Sequence, residues 1–314
     1  MSEENIKIHD IIAIGAGPAA LTAAIYAARE NLEIVLIEKG VIGGLAAVTD
    51  HIDNFPGFAD GVAGLKLASE MRAQAERFGA TIELDEINKI TKKDGVFELK
   101  GYSETYRAKT VLIATGSDYN KLKIPGEEEY YGRGVHYCAT CDGAFYQEKK
   151  LIVVGSGNSA AQEALFLTRF ASEIDVLIRG DHWKASDVLI EEVEKNPKIS
   201  VHFNIENKQI VATDGKVSSM LARDKTTDKD VSFVTDGVFV FVGLKPNTAF
   251  LRDSDVELDE LGFVKANERL ETNIEGIYVA GDVRSGATMQ IAAAAGEGAI
   301  AALTIREHLE ALDK

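Results

Sequence analysis

The sequence is poor in cysteine, with two in 314 residues, Cys138 and Cys141. Two cysteines are too few for the disulfide framework of a small secreted domain. The first ten residues, Met1 to Asp10, are charged and hold no apolar core of the kind found in signal peptides. We therefore expect a cytoplasmic protein.

Basic residues are also scarce. The chain carries 34 Lys and Arg against 50 Asp and Glu, a formal net charge of −16. This acidic excess argues against nucleic acid and against an anionic membrane surface as partners. A protein partner stays open, because a local basic patch is compatible with an acidic chain.

Long apolar segments are rare as well, and one uncharged stretch, residues 11–28, reaches membrane-spanning length. Its Gly15, Gly17 and Pro18 favour a buried strand, a turn and a helix over a spanning helix, so we expect no membrane association. With 46% hydrophobic residues, the chain can bury a large core. Its length favours two domains over one.

The uncharged stretch opens a glycine-rich turn between predicted elements. An apolar run at 11–14 is typical of a parallel strand buried on both faces. A helical pattern covers 21–29, and a second strand, 33–37, ends at Glu38. The turn residues are Gly15, Gly17, Pro18 and Ala19. Glycines let the backbone approach a pyrophosphate at a helix N-terminus, and the carboxylate of Glu38 can hold a ribose hydroxyl. The pattern predicts a dinucleotide-binding βαβ unit.

Further turn residues favour a flavin dinucleotide over free NAD at this first site. They follow predicted strands or lie in a rigid loop, and they are Gly43, Gly44, Asn54, Ala114, Thr115, Gly116, Gly281 and Asp282. A carboxylate at position 282 can bind a ribityl hydroxyl. Each residue alone is common in ordinary turns, and their shared order carries the prediction of an FAD site.

A second glycine turn follows the apolar strand predicted at 151–154. Its residues are Gly155, Ser156, Gly157, Asn158, Ser159 and Ala160. A helix is predicted over 161–170 and a strand over 175–178, after which come Arg179 and Lys184. Basic residues at this strand end favour a 2′-phosphate and hence NADPH over NADH. The alternative is that both cations belong to an ordinary solvated face.

The two cysteines lie between the glycine turns, as Cys138-Ala139-Thr140-Cys141, followed by Asp142. This placement favours a redox-active disulfide, with Asp142 as the candidate acid–base group. The alternative for Asp142 is a helix N-cap or a turn residue. A zinc site with His136 is a further alternative, but it needs a distant fourth ligand.

Together these segments resemble the low-molecular-weight, bacterial-type thioredoxin reductases, which are class II pyridine nucleotide-disulfide oxidoreductases. The resemblance extends over essentially the whole chain, and its segments are residues 15–19, 54–57, 138–143, 155–160 and 281–290. It implies an α/β fold with two Rossmann-like dinucleotide-binding domains, the second inserted into the first. The expected FAD-binding parts are 1–117 and 246–314, and the expected NAD(P)-binding domain with the cysteines is 118–245.

The resemblance also implies a reaction and further contacts. Electrons pass from NADPH through FAD to the Cys138–Cys141 disulfide, then to thioredoxin or a thioredoxin-like or glutaredoxin-like protein. A homodimer is expected, with Cys141 nearer the flavin. Additional FAD contacts are expected at Lys39, Met289, Gln290 and Ile291.

The chain departs from the family pattern near the electron donor. The usual histidine and second arginine of the basic signature are Ile178 and Gly180 here, and Met289 replaces an arginine. Ser156 replaces a glycine, which is tolerated if its φ is ordinary. The departures make NADH or reduced ferredoxin alternative donors.

Two other functions compete with this interpretation. The reductase component of an alkyl hydroperoxide system shares the core, but it expects an N-terminal thioredoxin-like extension for which Met1 to Asp10 leaves no room. A non-enzymatic FAD- or metal-binding redox sensor is the other alternative. The acidic run 127–129 is expected to be a solvated loop.

Overall fold

The chain divides into two compact units. The computed structural model describes residues 7–49 and 51–312. Unit 1 comprises Met1–Asp118 and Lys245–Lys314, and unit 2 comprises Tyr119–Leu244. Strands β7 (Ser117–Tyr119) and β16 (Leu244–Pro246) contain the two boundaries and pair as a two-stranded sheet. Among the described residues no helix has both the length and the apolar character needed to cross a bilayer.

Unit 1 is built on a seven-stranded sheet in the order β3-β2-β1-β6-β5-β4, with β17 beside β6. Its strands are β1 (Ile8–Ile14), β2 (Ile34–Glu38), β3 (Thr81–Leu84), β4 (Ile87–Lys93), β5 (Val96–Gly101), β6 (Thr105–Ile113) and β17 (Ile277–Val279). Its helices are α1 (Pro18–Arg29), α2 (Gly44–Ala47), α3 (Gly64–Arg77), α7 (Ile291–Leu312) and a 3₁₀ turn, Ala249–Leu251. The strands β1, β2, β3, β6 and β17 pair in parallel.

The first strand is apolar and buried from Ile11 to Ile14, because this part is covered on both faces. Ile11 and Ala13 pack in the core that contains α1 and α7, and Ile12 and Ile14 pack in the core on the opposite face. This is the arrangement expected of a central parallel strand.

Unit 2 repeats the parallel architecture and adds an antiparallel layer. Its parallel sheet has the order β11-β10-β9-β15-β8, and β12, β13 and β14 form a separate antiparallel sheet. The strands are β8 (Val135–His136), β9 (Lys150–Val154), β10 (Glu173–Leu177), β11 (Ile199–His202), β12 (Ile205–Thr213), β13 (Lys216–Asp224), β14 (Lys229–Val234) and β15 (Gly237–Val240). The helices are α4 (Ala139–Asp142), the 3₁₀ turn Gly143–Tyr146, α5 (Asn158–Leu167) and α6 (Asp187–Lys195).

Strand β9 shows the same two-sided burial. Leu151 and Val153 pack with α5, while Ile152 and Val154 pack with residues of the antiparallel layer such as Met220. The two parallel sheets, each with helices against it, confirm the predicted α/β fold class.

The expectation of a solvated loop at 127–129 is wrong for its first residue. Glu127 is 1% exposed. Its carboxylate accepts hydrogen bonds from the backbone N–H groups of Leu122 and Lys123 and from the hydroxyl of Tyr137. The three hydrogen-bond donors compensate for the burial of the Glu127 carboxylate. The sequence shows only a run of three acidic residues and does not show that these donors surround the first of them.

A buried carboxylate also organises the β5–β6 hairpin of unit 1. Asp85 is 7% exposed and accepts backbone N–H groups from Glu86, Tyr102, Ser103 and Glu104. It also accepts the hydroxyl of Tyr106. Burial by itself raises the pKa of Asp85, but these hydrogen bonds together outweigh burial and hold the pKa below its ordinary value.

Replacing Asp85 with Asn is therefore expected to lower the free energy of unfolding by about 2 kcal/mol at neutral pH, because an amide nitrogen would face N–H donors. A depressed carboxyl pKa stabilises the fold above its unfolded-state value, so the difference from wild type should shrink as pH falls below about 4. Urea unfolding across pH measures this. Asp94→Asn, at an exposed turn with φ of 53°, is the control and should change little. If the loss in the free energy of unfolding of Asp85→Asn stayed constant down to acid pH, the lowered pKa of Asp85 would be contradicted.

Candidate functional site: two glycine turns and a cysteine pair

The first glycine turn is held tightly at its start and is open at its end. Gly15 has a φ of 103°, and an added Cβ would lie 2.5 Å from the carbonyl oxygen of Ala114. A side chain at position 15 is thus excluded both by conformation and by space. Gly17 precedes α1, and a Cβ there would meet nothing within 4 Å. The turn therefore leaves free space in front of the helix N-terminus, as a phosphate site requires.

The fold brings several of the predicted flavin residues to this turn. The N–H of Gly43 donates to the carbonyl of Ala16, and a Cβ on Gly44 would lie 3.7 Å from the Cα of Gly17. A Cβ on Gly281 would lie 3.0 Å from the Cβ of Ala19. Residues from three distant parts of the sequence thus surround one helix N-terminus.

Two other predicted flavin residues, Asn54 and Gln290, are hydrogen-bonded to each other. Asn54 donates its side-chain amide to Oε1 of Gln290, 236 positions further along the chain. Met289 has a φ of 57°, a left-handed conformation that is uncommon for a non-glycine residue. Ile291 is the first residue of α7. The segment before α7 and the loop at Asn54 therefore lie together.

The end of β6 is fixed by reciprocal hydrogen bonds. The hydroxyl of Thr115 donates to the carbonyl of Asn247, and the side-chain amide of Asn247 donates to the carbonyl of Thr115. Gly116 has a φ of 66° and accepts the N–H of Asn247. Sequence reasoning missed Asn247, since its only sequence signal was its position beside Pro246.

Glu38 lies at the end of β2, beside the first turn. Its carboxylate accepts the N–H of Ala16 at 2.8 Å and the N–H of Gly40 at 2.7 Å. Each carboxylate oxygen can accept a second hydrogen bond, so a ribose hydroxyl can still bind. Lys39 pairs with Glu86 at 3.9 Å.

Asp282 provides the test of whether the residues fit a flavin dinucleotide. Burial, and then the charge of Glu297, raises the pKa of Asp282 to about 6. No described residue donates a hydrogen bond to its half-buried carboxylate, whereas Glu297 accepts the N–H of Gly281 and pairs with Arg284. A half-buried carboxylate without a donor from the protein fits a ligand that brings hydroxyl groups. Glu297 and Arg284 were missed because nothing in their spacing links them to Gly281.

The second glycine turn has a similar construction. Gly155 has a φ of 153°, and an added Cβ would lie under 3.0 Å from the Phe241 carbonyl oxygen and from the Cβ of Ala160. The φ of Ser156 is not positive, so its replacement of glycine is without strain. A Cβ at Gly157 would meet nothing within 4 Å. The helix starts at Asn158, three residues before the predicted start, because Gly157 is already its extended N-cap.

The segment after β10 returns to this turn. The N–H of Lys184 donates to the carbonyl of Ser156, and the N–H of Ser186 donates to the side-chain oxygen of Asn158. Arg179 and Lys184 are exposed, and Trp183 is buried against α5. The backbone contact brings the Lys184 position to the turn.

The cysteine pair lies between β8 and the 3₁₀ turn. Cys138 and Cys141 form a disulfide with their Cα atoms 5.3 Å apart. The sulfur of Cys138 also accepts the N–H of Cys141 at 3.2 Å. Because both sulfurs are in the disulfide, neither is a thiolate available to zinc, and the described residues contain no group of three or more metal-ligating side chains. The geometry favours redox exchange over metal binding.

Asp142, the last residue of α4, directly follows the pair. It precedes the 3₁₀ turn but makes no side-chain capping hydrogen bond, so the N-cap alternative is not supported. Its Oδ2 lies 3.2 Å from Nδ1 of His136, and Nε2 of His136 shares a hydrogen bond of 2.7 Å with the hydroxyl of Tyr146. The sequence singled out His136 only as a zinc candidate and did not indicate Tyr146.

Comparisons with known proteins agree with this geometry. The family model for pyridine nucleotide-disulphide oxidoreductases matches residues 9–298. A thioredoxin reductase from Bacillus subtilis is 40% identical over the whole chain and 98% of its own length. The crystal structure of thioredoxin reductase from Streptococcus pyogenes has a TM-score of 0.93 at 38% identity, with 97% of this chain and 99% of that chain covered.

A more distant structure, thioredoxin reductase from Giardia duodenalis, has a TM-score of 0.92 at 30% identity, again over 97% of this chain and 99% of that one. Two nucleotide-type glycine turns, a redox disulfide and full-length similarity identify a flavin-dependent oxidoreductase that uses a flavin and a pyridine nucleotide. The chain therefore belongs to the pyridine nucleotide-disulphide oxidoreductase family, among its thioredoxin reductases.

Proposed function

We propose that the protein reduces the disulfide of a thioredoxin or a thioredoxin-like protein with electrons from NADPH, through FAD and the Cys138–Cys141 pair. The observation that carries this proposal is the disulfide itself, in the same unit as the second glycine turn. The first turn, in unit 1, supplies the flavin site.

Unit 1 is the FAD-binding part in this proposal. The space before Gly17 receives the pyrophosphate, Glu38 holds a ribose hydroxyl and Asp282 accepts a ribityl hydroxyl. FAD, when bound, links a two-electron hydride donor to a disulfide. The remaining FAD contacts are those predicted from the sequence, Gly15, Pro18, Ala19, Lys39, Gly43, Gly44, Asn54, Ala114, Thr115, Gly116, Gly281, Met289, Gln290 and Ile291.

Unit 2 binds NADPH through its own glycine turn. The pyrophosphate lies before Gly157, and Arg179 and Lys184 bind the 2′-phosphate. The other contacts are Gly155, Ser156, Asn158, Ser159 and Ala160. The exposure of both cations fits a charged ligand that binds from solvent.

The cysteine pair then passes electrons on by thiol chemistry. Two electrons break the sulfur–sulfur bond and leave one thiolate and, after uptake of one proton, one thiol. Asp142 supplies that proton because it adjoins Cys141. The thiolate attacks the partner's disulfide, and the second cysteine gives up its proton and attacks the mixed disulfide. The Cys138–Cys141 bond re-forms, and the partner leaves as a dithiol after taking up that proton and a second one from water.

The protein is proposed to work as a homodimer in the cytoplasm, as the thioredoxin reductases that it resembles imply. A reducing cytoplasm supports turnover of a catalytic disulfide and not of a structural one.

The choice of electron donor is tested by the bleaching of bound flavin under anaerobic conditions. We expect NADPH to bleach the flavin at lower concentration than NADH. Arg179→Ala should raise the NADPH concentration for half-maximal rate about tenfold and leave that for NADH unchanged, because it removes only a 2′-phosphate contact.

The control is Lys216→Ala, an exposed cation at the β12–β13 turn of the same unit, which should bleach like the wild type. Failure of NADPH at millimolar concentration would overturn the donor assignment. Bleaching by NADH or by reduced ferredoxin in that case would identify the alternative donor.

A further inference from the structure

A buried imidazole separates the proposed acid–base residue from a half-buried phenol. His136 is 5% exposed, and its ring stacks on Phe239 with centroids 5.0 Å apart. The stacking follows from the sheet, since His136 on β8 is in register with Phe239 on the parallel strand β15. The ring is thus fixed in place by its neighbours and not only by its polar contacts.

Both ring nitrogens face polar groups. Nε2 shares a hydrogen bond of 2.7 Å with the hydroxyl of Tyr146, and Nδ1 lies 3.2 Å from Oδ2 of Asp142. A neutral imidazole carries one N–H, so the partner on one nitrogen decides which form the other nitrogen takes. The three side chains form one connected set, which ends at Asp142, the residue that follows Cys141 in the chain.

The tautomer follows from the phenol. Burial, and then the charges of Asp142 and Asp236, raise the pKa of Tyr146 well above its ordinary value, so its hydroxyl stays protonated and can donate to Nε2. The single N–H of a neutral His136 then lies on Nδ1 and faces the Asp142 carboxylate. In this arrangement both ring nitrogens of His136 meet a complementary atom, the Tyr146 hydroxyl at Nε2 and Oδ2 of Asp142 at Nδ1.

Tyr146 is itself held in place by a glycine. A Cβ at Gly237, the first residue of β15, would lie 2.6 Å from Cε1 of the Tyr146 ring. The 3₁₀ turn that carries Tyr146 therefore packs directly on the β15 backbone. The hydroxyl position depends on this close approach.

We propose that His136 is a positioning residue for the reaction, which orients the Asp142 carboxylate beside Cys141 and couples its protonation to the Tyr146 hydroxyl. The inference rests on the proposed function, in which Asp142 supplies the proton. When Asp142 gives up its proton, the N–H on Nδ1 stabilises the resulting carboxylate. The other titratable groups near the set are Asp236, next to β15, and Tyr131, whose pKa is raised by burial and by the charge of Asp142.

The test follows the redox equilibrium of the Cys138–Cys141 pair against dithiothreitol from about pH 5 to about pH 9. The flavin-bound protein is equilibrated, alkylated and measured by mass spectrometry, so neither a nicotinamide donor nor thioredoxin is needed. A break is a change of slope in the plot of this redox equilibrium against pH. The break that is present in the wild type and absent in Asp142→Asn is the one that Asp142 contributes.

In His136→Phe, which keeps a ring against Phe239, this break should move to higher pH by about one unit, because the N–H facing the carboxylate is lost. His136→Asn, whose amide can place an N–H near Nδ1, should restore the wild-type break. Tyr146→Phe should give a shift in the same direction that is smaller than in His136→Phe, since the tautomer is no longer fixed.

A His136→Phe curve that coincides with the wild type, or an Asp142→Asn curve that keeps every break, would overturn the inference. A shift in His136→Phe that His136→Asn does not reverse would also overturn it, since the ring alone would then be responsible. The proposed function fails separately, if the wild-type protein with NADPH does not reduce thioredoxin. Tyr146→Phe and His136→Asn keep the inference testable if His136→Phe does not fold.

Discussion

Cys141→Ser is expected to lower the rate of thioredoxin reduction by about a thousandfold or more while flavin stays bound. One remaining sulfur cannot form the intramolecular disulfide that accepts two electrons and later resolves the mixed disulfide with the partner. The residues proposed to bind the flavin lie in unit 1, whereas Cys141 lies in unit 2, so the visible absorption of the flavin should persist. Oxidation of NADPH in the presence of thioredoxin measures the activity.

The matched control for this experiment is Thr140→Ser. Thr140 lies between the cysteines, and its hydroxyl is 3.4 Å from the sulfur of Cys138. Serine keeps the hydroxyl, so turnover should stay within a few-fold of wild type. Full turnover in Cys141→Ser would show that electrons reach the partner by another route.

Gly298→Ala should cost about 3 kcal/mol in the free energy of unfolding of unit 1 and weaken flavin binding. Gly298 is buried where α7 packs on α1, and an added Cβ would lie under 3.0 Å from the Ala19 carbonyl oxygen and 3.1 Å from the nitrogen of Ala23. Both clashing atoms belong to the backbone of α1, so the clash can be removed only if α1 and α7 move apart. Ala19 belongs to the helix start at the predicted flavin site, which is why binding should suffer too.

Gly296→Ala on the same helix is the control, because a Cβ there would meet nothing within 4 Å. Helix propensity predicts a gain of about 0.5–1 kcal/mol for it. Flavin fluorescence during urea unfolding follows unit 1, and Trp183, the one tryptophan of the chain, follows unit 2. An equal loss of stability in both variants, or a loss confined to the tryptophan signal, would contradict the packing argument.

The sequence predicted the parts of the fold that depend on local pattern. Apolar runs, glycine turns and helix periodicity located both βαβ units, and the cysteine spacing located the disulfide. These features can be predicted because the residues that determine them lie close together in the sequence. The start of α5 was misplaced by three residues, because Asn158 and Ser159 were taken as part of the turn and not of the helix.

Side-chain partnerships between distant segments were not predictable in this way. His136 stacks on Phe239 only because β8 and β15 are neighbours in the sheet. Glu127 is buried only because Tyr137 and two backbone N–H groups converge on it. No periodicity relates such pairs, so they emerge only from the three-dimensional arrangement.

The discontinuity of unit 1 also has a consequence for synthesis on the ribosome. A nascent chain that ends at Leu244 already contains every strand and helix assigned to unit 2. At that stage it lacks β17 and α7, which complete the sheet beside β6 and cover α1. Gly281 and Asp282 are also not yet made, so the inserted unit can fold before the surrounding one, and the proposed flavin site is completed last.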